Sequence, residues 1–197
     1  MGLLNNILGE VMIHAESFGL SKAYTYEQAL AVLLSPKPGI IALAKAENTM
    51  VMANKTTGSK AKRAVGVGLC KTHGILTNAK TRDAQRTEAA GFLTDAAWLS
   101  TEEEDGSAMD VLKQVMASDY AARLGLADFL LNYMLHVKEE EPSDCVYLAC
   151  ANLYGWGVPA NLPLARNLLE AALDGLKEQY HKGIRRLLAE LDEMEQA

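Results

Sequence analysis

Cysteine is scarce: three in 197 residues, Cys70, Cys145 and Cys150. An odd count without metal-type pairing argues against a disulfide framework and leaves a reducing, cytoplasmic setting as the expectation. The four histidines, His14, His73, His136 and His181, are dispersed with no short ligand spacing, so neither a metal nor another cofactor is expected. A basic, apolar and small-residue leader is also missing. The first lysine is Lys22, and Glu10 interrupts the early apolar residues, so no targeting or membrane segment is expected. Met1-Gly2 begins like a myristoylation site, but Asn6 stands where Ser or Thr is required. No nucleotide fingerprint is complete. Gly66-Val67-Gly68-Leu69-Cys70-Lys71-Thr72 approaches a phosphate loop, yet Cys70 occupies the position ahead of the lysine that needs glycine.

What is present is ordinary globular material, 49% apolar and 22% charged. A chain of this length buries roughly 70% of the surface that its unfolded form exposes, so it folds without staples. The net charge of −6 hides an asymmetry. Residues 1–100 carry 11 Lys and Arg against 7 Asp and Glu, whereas residues 101–197 carry 8 against 18.

The periodicity is helical wherever it is clear. Leu3, Leu4, Ile7, Leu8, Val11, Met12, Ala15 and Phe18 fall on one helix face. Thr25 and Gln28 have capping-box spacing ahead of a short apolar helix that ends before Pro36. Residues 40–47 resume helix, and Thr56, Thr57, Gly58 and Ser59 read as a loop. Ala64 to Ile75, with Gly66, Gly68 and Gly74, reads either as a helix packed through glycines or as two short strands. Residues 80–99 are helical. The acidic run from Thr101 to Gly106 then marks a boundary between an N-terminal region, 1–100, and a C-terminal one, 107–197. Capping boxes or caps are expected at Ser107, Ser118 and Ser143. Met50, Met52, Met109, Met116 and Met134 read as core filler.

Residues 143–191 are the most informative. Tyr147, Leu148, Ala151 and Leu153 mark one helix, and Ala165, Leu168, Leu169 and Ala172 mark the next. Between them, Gly155 and Gly157 bracket Trp156, which lets the backbone leave a helix with positive φ and fold back. Val158 can plug the pair, and Asn161 can cap the second helix. In Gly155, Gly157, Val158, Ala165 and Ala172 the chain resembles the Sel-one-like repeat, a helical-hairpin relative of the tetratricopeptide repeat. Asn161 stands where that family usually has Asp. Gly183, 34 residues after Ala149, suits the start of a further, truncated repeat. The resemblance implies an all-α fold, an N-terminal helical bundle followed by a short antiparallel hairpin array. It also implies a non-catalytic adaptor, scaffold or inhibitor that holds another protein in a groove.

The residues expected to face that protein are Tyr147, Tyr154, Trp156 and Leu164. Trp156, on its glycine turn, is the better surface candidate, and Tyr147 reads more as internal packing. A second reading comes from residues 55–86, where Lys55, Lys60, Lys62, Arg63, Lys71, Lys80, Arg82 and Arg86 face only Asp83. Such a stretch can hold an anion, nucleic acid or nucleoprotein. It has no aromatic residue to stack bases, so nucleic acid ranks below a protein as the expected partner. A third reading, thiol chemistry at Cys70 beside His73, ranks below both, since a small buried Cys is the simpler assignment.

Overall fold

The computed structural model describes residues 23–103, 105–136 and 141–197, and the apolar stripe expected over residues 3–18 lies outside them. The described residues form ten α-helices and no strand. They are α1 (Tyr26–Leu34), α2 (Ile40–Thr57), α3 (Lys60–Thr72), α4 (Arg82–Leu99), α5 (Ser107–Met116), α6 (Asp119–Leu124), α7 (Leu126–His136), α8 (Pro142–Tyr154), α9 (Leu162–Gly175) and α10 (Glu178–Glu195). A 3-10 turn, Ser100–Glu102, follows α4. Among the described residues no helix is long and apolar enough to cross a membrane.

Caps set most helix starts. Thr25 and Gln28 make the expected reciprocal box at α1, and Ser118 and Asn161 cap α6 and α9 with their side chains. Three expectations fail. Ser107 is already helical: Gly106, at φ 74°, precedes it, and Asp105 accepts from its amide. Helix α8 is capped by Glu141, two residues ahead of Ser143, with Pro142 at its first residue and a reciprocal box between Glu141 and Asp144. The helix expected beyond Ser118 is broken in two by Gly125, whose φ of 58° turns the chain.

The glycine-rich stretch is helical, and its glycines explain its place. A Cβ on Gly66 would lie 2.3 Å from Met50 Sδ of α2. One on Gly68 would lie 2.7 Å from Leu93 Cγ of α4. Helix α3 is thus held between α2 and α4 with residues 64–71 all buried, and that packing offsets the propensity cost of about 1 kcal/mol per glycine. Helix α2 also runs ten residues further than expected, because Thr56 and Thr57 bond their hydroxyls back to Ala53 O and Gly58, at φ 70°, ends it.

Helix α4 is the hub, packing on α3, α5, α7 and α8. Helices α8 and α9 then pair along their lengths, and α10 closes over α9 and the 3-10 turn. One hydrophobic cluster includes Leu33, Leu69, Leu93, Leu112, Tyr147 and Ile184, so it draws on both sides of the acidic run. Met50, Met109 and Met134 belong to it, whereas Met52 is exposed.

Candidate functional site

The α8–α9 hairpin is built as its residues require. Gly155 and Gly157 take φ of 74° and 73°, the left-handed region that glycine enters without a steric penalty. The Trp156 amide donates to Ala151 O at 2.9 Å, and the Asn161 amide donates to Asn152 O at 2.8 Å. Asn161 Oδ1 accepts from the Leu164 amide, and Ala165 and Ala172 are fully buried between the rods.

This construction moves the expected partner-facing aromatics inside. A Cβ on Gly157 would sit 3.0 Å from the carbonyl of Ala127, so the turn presses against α7. Trp156 is consequently only 8% exposed, with its ring 5.2 Å from that of Tyr154 and 6.0 Å from that of Tyr147. The expectation of Trp156 as a surface residue is therefore corrected: it is the plug of the hairpin. Tyr147 is buried, as its internal reading anticipated. Tyr154 donates its hydroxyl to Glu190, which also accepts from Lys113, and the Lys113 ammonium lies 4.5 Å from the Tyr154 ring. That group ties α5, α8 and α10 together. Of the four residues, Leu164 alone stays open, at 42% exposure. Val158, half-buried, packs against the core beneath the turn.

The basic stretch does not form one surface. Lys71 is buried: its ammonium donates to Glu88 and to Leu76 O, both at 2.6 Å, which removes it from any anion-binding face. The hydrogen bonds from Lys71 and then Thr77 hold the Glu88 carboxyl below the usual carboxylate range. Around the start of α3, the acidic run folds back over the basic one. Lys60 pairs with Glu102 at 3.4 Å, Ser59 Oγ bonds Glu103, and Lys62 shares a recess with Glu103 and Asp105. Arg63 donates to Val51 O, and Lys55 and Lys80 are exposed. Arg82 and Arg86 open α4 at the other end of the stretch, where they meet Arg123 of α6, a residue outside the expected set.

Cys70 and His73 are engaged separately. Burial pushes the Cys70 thiol up to about 12, opposite in direction to an activated thiolate. The His73 ring meets Leu33 O through Nε2 at 2.7 Å and stacks on Tyr120 at 4.9 Å. Among the described residues no group of three His, Cys, Asp or Glu side chains is placed to hold a metal.

The surface that sequence reasoning missed is the outer face of α2. Its core side carries the buried Ala46, Met50 and Ala53. The opposite side carries Ile40, at 73% exposure, Ile41, at 56%, and the exposed Val51 and Met52. At helical spacing these four share one arc, with Ala44, Asn48 and Lys55 between them. A helix apolar on both sides is ordinarily buried on both. Extending the periodic reading of residues 40–47 through Lys55 would have exposed this second stripe. Comparisons with family models, with curated proteins and with solved structures each returned no match.

Proposed function

We propose that this chain is a non-catalytic protein-interaction module whose docking element is the outer face of α2. One observation carries the reading: a two-sided apolar helix presents Ile40, Ile41, Val51 and Met52 to solvent. Isolated exposed apolar residues are common on any protein, but here four fall on one arc of one helix, as two pairs about 15 Å apart with Ala44 and Asn48 between them. Lys37 ahead of the first turn and Lys55 within the last favour a partner with acidic residues beside an apolar stripe. The α8–α9–α10 array then acts as the rigid support rather than as the groove, because its aromatics are spent on internal packing.

The reading is tested by capturing partners from the native host with wild-type protein, with Ile41→Glu and Met52→Glu, and with Leu164→Glu. All three positions are exposed, so each variant is expected within about 0.5 kcal/mol of wild-type stability. Loss of one specific partner with the two α2 variants, and its retention with Leu164→Glu, is the expected pattern. Retention of every captured protein by Ile41→Glu and Met52→Glu refutes the assignment to α2. Loss with Leu164→Glu alone returns the contact to the hairpin.

A further inference from the structure

The start of α4 meets α6 and α7 at a cleft of about 290 Å³, lined by Arg82, Arg86 and Arg123 above Leu124, Leu126 and Phe129. No carboxylate is among its lining residues. Two of the arginines are held through backbone carbonyls. Arg86 donates through Nη2 to Leu124 O at 3.3 Å, and its guanidinium carbon lies 4.4 Å from the centre of the Phe129 ring. Arg123 donates through Nε to Asp119 O at 3.2 Å, and the two residues also share a neighbouring recess with Leu34 and Pro36. A backbone carbonyl holds a guanidinium in place but leaves its charge uncompensated, and each guanidinium offers five N–H donors.

Elsewhere in this fold several cations meet carboxylates: Lys71 with Glu88, Lys113 with Glu190, and Arg166 with Asp192 and Glu195. The cleft instead gathers three exposed arginines with no carboxylate in its lining. Its floor departs from an ordinary basic surface as well, because two leucines and a phenylalanine form it. We infer that this cleft binds a phosphate monoester carrying a flat apolar body. The dianionic head takes bidentate hydrogen bonds from Arg82 and Arg123. The body lies across Leu124 and Leu126 against the guanidinium that Phe129 supports. A monocarboxylate supplies only half of that charge, and an anion without an apolar part leaves the floor unused.

Titration calorimetry of the full chain with phenyl phosphate at low salt tests the assignment. Saturable binding that weakens as salt is raised is expected. Arg82→Gln and Arg123→Gln are each expected to weaken it by about tenfold, the loss of one charge-assisted contact. Lys62→Gln, beside Glu103 and Asp105, is expected to leave it unchanged. Inorganic phosphate is expected to bind at the same arginines at least about tenfold more weakly, since each buried CH2-sized apolar group adds roughly 0.8 kcal/mol. The proposal is overturned if phenyl phosphate gives no saturable heat at millimolar concentration. It is equally overturned if both arginine variants bind like wild type while keeping its melting temperature, or if inorganic phosphate binds as tightly as the ester. The test is independent of α2, so its failure leaves the docking proposal standing.

Discussion

Gly183→Ala turns a normally favourable exchange into a damaging one. Alanine in a helix interior is worth about 1 kcal/mol over glycine, and Gly183 sits in the first half of α10. Its missing side chain is what lets α10 rest on the 3-10 turn. A Cβ there would lie 2.3 Å from Thr101 Cα and 2.4 Å from Thr101 O. Both are backbone atoms, and the turn is pinned by Ser100 and Thr101 hydroxyls bonded to Ala97 O and Trp98 O. The helix must therefore move outward by about 1 Å to reach ordinary contact, loosening the buried Ile184 and Leu187 on the same helix. Overpacking against rigid backbone costs about 3 kcal/mol, and the propensity gain leaves a net loss of about 2 kcal/mol. For a chain of this size that lowers the melting temperature by about 4–8 °C. Gly91→Ala is the matched control in α4, where the nearest atom to a new Cβ is the flexible Tyr133 hydroxyl at 3.4 Å. It is expected to raise stability by up to about 1 kcal/mol. Thermal melts of both variants followed by circular dichroism decide the matter. Gly183→Ala melting at or above wild type refutes the close approach of α10 to the turn.

Two further outcomes follow from groups inside the fold. Burial lowers the His73 pKa, against the opposing effect of its bond to Leu33 O, so the unfolded chain takes up the proton first as pH falls through the ordinary histidine value of about 6.5. Its contribution is present above that value and fades below it. The melting temperature of wild type is accordingly expected to drop more between pH 7.5 and 5.5 than that of His73→Gln, and parallel drops would remove His73 as the cause. The Tyr147 hydroxyl is buried without a hydrogen-bond partner among the described residues. Tyr147→Phe is therefore expected to leave stability unchanged or raise it by about 1 kcal/mol in urea denaturation, and a loss above about 1 kcal/mol would show that the hydroxyl is satisfied in solution.

What could be read in the sequence was chemistry confined to a few neighbouring residues. The box of Thr25 with Gln28, the caps at Ser118 and Asn161, and the positive φ of Gly155 and Gly157 each depend on atoms within about one helical turn. The all-helical class followed from the same local signals. Facing was legible only in part: Tyr147, Met50, Met109 and Met134 are buried as expected, but other residues are not where they read. Trp156 on a two-glycine turn has the local marks of an exposed residue, and only the approach of Gly157 to Ala127, thirty residues earlier in the chain, puts it inside. Gly66 and Gly68 left helix and strand open because their purpose lies with Met50 and Leu93 on other helices. Lys71 looked like one more member of a basic run, and Glu88 across the packed helix makes it an internal ion pair.

The two charge runs show why a linear count misleads about binding. Residues 55–63 and 102–105 are separated by some forty positions, yet Lys60 meets Glu102, Ser59 meets Glu103, and Lys62 faces Asp105 across one recess. Exposed pairs of this kind contribute about 1 kcal/mol or less to stability, so their main consequence is electrostatic: opposite charges a few ångströms apart cancel beyond a Debye length. The start of α3 therefore presents little net positive field, despite its sequence. Helix α3 is 13 residues long, about 20 Å, and the converging arginines Arg82, Arg86 and Arg123 gather near its far end. A carboxylate run that neutralises one end of the stretch while leaving the other uncovered concentrates anion attraction in the cleft, where the apolar floor can discriminate among anions by their bodies.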